Sequence, residues 1–286
     1  MNKCIEFLKL VRIEHSIMLV IAVLIAEIIV LGGFPSLDYN FYLSLIAPFF
    51  IGMAAFALND YLDIESDRIN KKLDRPLING AFSKEFVIIF CLTFYLVGII
   101  ISAFVDSWPI PFIIVSSFAF LSLLYNYKLK DIALLGNIYI AFTMAVPFVY
   151  GNYIYSNDLN FTILILFIIA FFVGLAREIV KTIEDIEGDK KARKANTLPI
   201  KIGIKKSAYL ASVFYILFIC LTPLPFIYGL NIFLPSILLV GLCDIGFFYL
   251  ASTTVKDQSQ KFLKKSRNIS LILLIIGLIA LLLAAV

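Results

Sequence analysis

Every one of the 24 lysines and arginines in this 286-residue chain lies in alternate gaps between nine long apolar runs, and few folds tolerate that arrangement. The runs cover 16–31, 41–58, 86–105, 110–124, 132–150, 161–176, 208–228, 232–250 and 269–286. Hydrophobic residues make up 62% of the chain and charged residues 15%, too apolar a mixture for a water-soluble domain of this length. The solvent implied is a lipid bilayer. Several runs fall short of the ~20 residues that a full crossing takes, so their helices should continue into adjacent polar stretches or tilt. The expected fold is all-α: a polytopic bundle of nine transmembrane helices forming a single domain over 1–286. Helices one to four and five to eight would be copies of one four-helix unit, with the ninth added, if the two polar blocks described below mark a repeat.

Orientation follows from where the bases fall. Lys3, Lys9 and Arg12 precede the first run, Arg68 to Lys84 follow the second, Lys128 and Lys130 the fourth, Arg177 to Lys206 the sixth, and Lys256 to Arg267 the eighth. By the positive-inside rule these loops and the N-terminus are cytoplasmic and Val286 is outside, which makes this a multi-pass protein of the cell membrane. The opposite loops carry Asp38, Asp106 and Asp158 among Trp108 and several tyrosines, an interfacial aromatic belt. The first run leads straight into the next spans without a small-residue cleavage pattern, so no cleavable signal is expected. Cys4, Cys91, Cys220 and Cys243 have no metal-finger spacing and read as buried thiols. Glu27 and Asp244 lie inside runs, where each must face a cavity, be protonated or find a partner.

Two polar blocks interrupt the apolar pattern on the basic side. The first, NDYLDIESDRINKKLDRPLING, runs from Asn59 to Gly80. On a helix, Asn59, Asp63 and Asp67 recur at i, i+4 and i+8 and share one face. Alone, such a block also fits a solvated loop with local ion pairs, for instance Asp67 with Lys71. The second block, REIVKTIEDIEGDKKARK, runs from Arg177 to Lys194 and places Arg177, Lys181, Asp185 and Asp189 on one stripe, bases first and acids after. Two acidic faces across a cavity are what a diphosphate bridged by divalent cations requires, because bare carboxylates would repel it. Magnesium suits Asp and Asn oxygens and is usually shared with a substrate phosphate. A third cluster, Tyr125-Asn126-Tyr127-Lys128, lies on the same side. Lys128 either caps the diphosphate or anchors the helix at the interface; Arg12 and His15, at the start of the first span, are either interfacial anchors or substrate contacts.

The first block resembles the N-D-x-x-D-x-x-x-D and R-P-L-x-x-G pattern of the UbiA superfamily of intramembrane prenyltransferases. DIEGD is similar to that superfamily's second acidic motif, and Tyr125 with Lys128 to its tyrosine-lysine motif. The resemblance implies that Asn59, Asp63 and Asp67 hold magnesium on one side of a prenyl diphosphate and Asp185 and Asp189 on the other. Asp63, Asp185 and Lys128 would then be the catalytic groups, and Arg12, His15, Arg68, Tyr125, Arg177 and Lys181 would bind substrate. KTIEDIEGDKKARKANTLPIKIG is most similar to the archaeal branch of the superfamily. That branch implies a magnesium-dependent transferase moving a geranylgeranyl group from geranylgeranyl diphosphate to the hydroxyl of geranylgeranylglyceryl phosphate, a step of ether phospholipid synthesis. The partners are then these two lipids and the bilayer, with no nucleic acid and no obligatory protein partner.

Other acceptors within the superfamily, a quinone precursor or a haem, remain alternatives. Outside it, soluble chain-elongating prenyl synthases are excluded by the nine apolar runs, and the CDP-alcohol phosphotransferases need a D-G-x-x-A-R element absent from both blocks. A cation or metabolite carrier would place its acids near the bilayer midplane, whereas these sit at helix ends beside dense bases.

Overall fold

The computed structural model describes residues 2–286, and among them nine helices are long and apolar enough to span a membrane. A short helix α1 (Lys3–Leu10) precedes α2 (Ile13–Leu31), α3 (Tyr39–Leu62), α4 (Ile64–Ile69), α5 (Lys84–Ser102) and α6 (Ile110–Tyr127). The second half holds α7 (Leu135–Tyr155), α8 (Phe161–Glu184), α9 (Ile186–Ala192), α10 (Leu198–Ile202), α11 (Ile204–Leu221), α12 (Leu224–Tyr228), α13 (Leu234–Lys256) and α14 (Gln260–Ala285). As the short apolar runs imply, α3 and α8 extend past them into the polar blocks, each reaching 24 residues. Side chains of Asp38, Ser83, Asn160 and Ser259 accept backbone N–H bonds at the starts of α3, α5, α8 and α14, meeting donors that lipid cannot satisfy. Helix α1 is an addition to the expected pattern; Glu6 ties it to Asn79 at 2.8 Å. Cys91 and Cys243 are buried as expected, but Cys4, on α1, and Cys220, on the outer face of α11, are exposed.

Packing divides the bundle into halves. One core gathers residues of α2, α3, α5 and α6, a second those of α8, α11, α13 and α14, and a third seals the halves where α2, α7, α8 and α14 meet. Outward faces are apolar: on α5, Ile89, Leu92 and Leu96 recur at helical spacing and are about two-thirds exposed, which suits lipid. The two intramembrane acids each find a hydroxyl. Ser44 Oγ donates to Glu27 Oε1 at 2.6 Å, and Thr222 Oγ1 to Asp244 Oδ2 at 2.9 Å.

The halves match where it matters for chemistry. Helix α3 stops at Asp63 and resumes as α4; α8 stops at Asp185 and resumes as α9. The second helix of each half therefore breaks at a motif aspartate. Helices α4 and α9 then meet, with Asn70 Oδ1 accepting from Gly188 N at 2.9 Å. A Cβ on Gly188 would lie 2.6 Å from the Ser66 carbonyl oxygen, so only glycine lets the two blocks approach this closely.

Candidate active site

Where α4 and α9 meet, the two acidic motifs line one polar chamber. The break at Asp63 keeps the expected stack, because Asn59 Nδ2 donates to Asp63 Oδ2 at 3.0 Å and Asp67 N to the Asp63 carbonyl at 2.8 Å. Asn126 at the end of α6 orients Asn59, accepting from its Nδ2 at 3.0 Å. Asp67, Asp185 and Asp189 face the same chamber, with Tyr125 and Lys181 on its wall.

Bases span the two motifs. Lys72 Nζ lies 2.7 Å from Asp185 Oδ1 and 3.3 Å from Asp67 Oδ1, bridging one motif to the other. Arg193 does the same, with Nη1 2.9 Å from Asp63 and Nη2 2.7 Å from Asp189. Lys130 Nζ lies 2.6 Å from Asp63 Oδ1. Behind this layer, buried Asp60 holds Arg12 at 2.7 Å and Arg75 at 2.9 Å and aims both at the chamber. Burial alone would raise the pKa of Asp63, but Lys130 and Arg193 outweigh it and hold the carboxyl below its usual range. In Asp189 burial wins over Arg193 and pushes the pKa up to about 7. Burial also lifts Asp67, against the pull of Lys72 and Arg75.

The chamber opens into an apolar cavity of about 750 Å³ running between the halves, lined by α2, α3, α6, α7, α8 and α14. Arg12, His15, Arg177, Lys181 and Arg267 ring its polar end, and Ala22, Phe148, Gly277 and Leu281 lie along its apolar length. Tyr125, stacked on Tyr139 with ring centroids 4.7 Å apart, stands where chamber and cavity join.

Most of the site residues read from the sequence converge here, with three corrections. Lys128 is exposed and lines neither chamber nor cavity; helix α6 ends at Tyr127, and the 3-10 turn over Leu129–Asp131 swings Lys130 inward instead. Arg68 is exposed on the outer side of α4, because that helix turns Asp67 toward the chamber. Asp67 pairs with Lys72 and not Lys71, since Lys71 ends the helix with a left-handed backbone at φ 56°. Lys72, Arg75, Lys130, Arg193 and Asp60 are additional site residues. Arg75 stands in the R-P-L motif and could have been taken from it; Lys72 and Arg193 lie in irregular segments where spacing carries no direction.

Among the described residues, no three His, Cys, Asp or Glu side chains form a ready cage for a metal. The donor set nonetheless fits magnesium: hard oxygens on two facing motifs, already spanned by the cationic heads of Lys72 and Arg193, match a cation that keeps waters and shares a substrate phosphate.

A model of the UbiA prenyltransferase family matches residues 19–272. The digeranylgeranylglyceryl phosphate synthase of Archaeoglobus fulgidus is 33% identical over 94% of this chain and 92% of its own length. The enzyme of the same name from Methanosphaera stadtmanae is 35% identical over 93% and 92%. A solved structure concerning digeranylgeranylglyceryl phosphate synthase in membranes is similar with a TM-score of 0.72 and 31% identity, covering 100% of this chain and 99% of that one. A UbiA homolog from Archaeoglobus fulgidus bound to DMAPP and Mg2+ has a TM-score of 0.62 at 18% identity, covering 96% and 99%, and shares the fold.

Proposed function

This chain belongs to the UbiA prenyltransferase family, and from that starting point we propose that it joins the geranylgeranyl group of geranylgeranyl diphosphate to the hydroxyl of geranylgeranylglyceryl phosphate. The relatives named above support that acceptor, since they cover nearly the whole chain. The observation that carries the reading is the bridging of the two aspartate motifs by Lys72 and Arg193 at the mouth of a long apolar cavity. A charged head and a greasy tail would each find a matching chamber.

Asn59, Asp63 and Asp67 on one side and Asp185 and Asp189 on the other would hold magnesium, which when bound neutralises the leaving diphosphate as a Lewis acid. Lys72, Arg75, Lys130 and Arg193 donate to the diphosphate oxygens as charge develops on them. The bond from C1 to the diphosphate oxygen breaks, and the carbon left electron-poor lies where the chamber meets the cavity, near the faces of Tyr125 and Tyr139. The acceptor hydroxyl supplies the new C–O bond; inorganic diphosphate and a proton are the other products. The apolar cavity keeps bulk water from the carbon, so that the lipid hydroxyl captures it and hydrolysis does not. The N-terminus and both motifs face the cytoplasm in this reading, supported by the placement of the bases.

Purified protein supplied with labelled geranylgeranyl diphosphate, magnesium and a panel of acceptors tests the proposal. The expected product is the ether of geranylgeranylglyceryl phosphate, lost on chelation of magnesium. Prenylation of 4-hydroxybenzoate or haem in its place would retire the acceptor assignment.

A further inference from the structure

Arg177 stands apart from the other cations of the site. Every other Lys and Arg lining the chamber and the cavity pairs with a carboxylate at 3.0 Å or closer. Among the described residues, Arg177 is the one cation lining the two that has no carboxylate within 4.0 Å. Its Nε donates to Ser270 Oγ at 3.2 Å, and its Nη2 lies 3.5 Å from His15 Nε2. A guanidinium can only donate, so that ring nitrogen must be the acceptor and His15 neutral. The His15 Nδ1, which carries the proton in this tautomer, lies 3.3 Å from Glu14 Oε1. The guanidinium thus makes its direct polar contacts with neutral groups only, at the rim of an apolar cavity. Such a charge is costly until an anion from outside joins it.

Its position selects the anion. Arg177 lies eight residues before Asp185, about 12 Å along α8 at helical rise, and so is too far to share the oxygens bound between the motifs. Arg267, one turn before Ser270 on α14, lines the same cavity, held by Glu184 Oε1 at 3.0 Å, while Gln260 fixes the Glu184 carbonyl at 3.0 Å. Two arginines on different helices, each offering planar paired donors, suit a phosphate monoester better than a single carboxylate.

We propose that Arg177, supported by His15 and Ser270 and with Arg267 lining the same cavity, is a second anion site that seats the phosphate monoester of the acceptor lipid, separate from the site of the diphosphate. This rests on the phosphate-bearing acceptor argued above. The spacing of about 12 Å accommodates a diphosphate, a near-attack gap of about 3 Å and the short carbon bridge between an acceptor's hydroxyl and its phosphate. Anchoring the phosphate then fixes where the hydroxyl attacks. Reaction with an alcohol lacking the phosphate should be slow, because the arginine would be left unpaired.

The test compares geranylgeranylglyceryl phosphate with the dephosphorylated geranylgeranylglycerol as acceptors, with geranylgeranyl diphosphate as donor, in wild type, Arg177→Gln, Arg177→Lys and Arg267→Gln. In Arg177→Gln the acceptor KM should rise about ten- to a hundredfold and the preference for the phosphorylated acceptor should fall by the same factor, while the donor KM stays within about twofold. Arg177→Lys should lie between, and Arg267→Gln should shift the same ratio less. A raised donor KM with an unchanged acceptor KM, or an unchanged preference, overturns the second site and leaves the acceptor reading standing. A wild-type protein that prenylates another acceptor and ignores the glyceryl phosphate lipid overturns both. Glycerol 3-phosphate inhibition of the wild type gives an answer independent of variant folding. Competition against the acceptor supports the site, and competition against the donor refutes it.

Discussion

Lys128 and Lys130 differ by two positions in one loop, yet only Lys130 reaches Asp63, at 2.6 Å. The difference is made where α6 ends: Lys128 caps the helix with φ −147°, and the 3-10 turn after it redirects the chain. Lys130→Ala should therefore lower kcat/KM for geranylgeranyl diphosphate by about a hundredfold, the loss of one transition-state donor, while Lys128→Ala stays near wild type. Equal losses would reopen the choice between them. The acids were legible because Asn59, Asp67 and Asp189 lie on helices and Asp63 and Asp185 at one-residue breaks that keep the helical spacing, so that a spacing of four residues fixes a shared face. Lys72 and Arg193 were not, because each acts from a turn in which neighbouring side chains diverge. For the acids themselves, Asp63→Ala and Asp185→Ala should each cost about a thousandfold in kcat, with the double variant little worse than either, since each breaks the same clamp. Additive losses in single-turnover assays would mean that the two motifs act separately.

At the scale of the element, the decisive contact is α4 on α9. The helix period foretold the stacked acids but hid the pause at Asp63 and at Asp185, because a break of one residue leaves the spacing of the acids intact. It also gave no hint that the glycine of DIEGD is where the two blocks touch. Gly188→Val would push its side chain into Ser66 and Asn70, an overpacking that costs about 1–3 kcal/mol if relieved locally. Ser66 lies on α4 and Asn70 caps it, so relief means moving the first motif off the second. The expected result is a protein that still inserts and purifies, with a thermal midpoint only slightly lower, but with its donor turnover nearly lost. Activity falling only in step with stability would show that the apposition is not what Gly188 provides. The spans were the easiest elements to read, since apolar length alone defines them. Helix α1 escaped because its eight residues are too few and too mixed for that criterion.

For the whole molecule, the placing of all bases in alternate loops supplies an expected topology without any contact being known. Single cysteines replacing exposed Lys190 and Asn157, in a background lacking the four native cysteines, should react with an impermeant maleimide from opposite sides of the membrane; reaction from the same side would undo the span order. The cavity between the halves was not readable in this way, because the lipid-facing and cavity-facing sides of a transmembrane helix are both apolar. Its length nonetheless has a testable consequence. Gly277 lines the cavity on α14, ten residues or about 15 Å beyond Arg267 at helical rise. A Cβ there would meet nothing closer than Cys243 Sγ at 3.8 Å, so a larger side chain can grow into the cavity without displacing a neighbouring backbone. In Gly277→Phe the ring would occupy volume that the far carbons of a geranylgeranyl chain need, while a geranyl chain, half as long, would stop short of it. The KM for geranylgeranyl diphosphate should rise about tenfold, roughly the penalty for displacing one or two buried methylene groups. The KM for geranyl diphosphate should stay where it was, because the same head group meets the same clamp. Equal rises for both donors would place the tail elsewhere and leave the cavity without its assigned occupant.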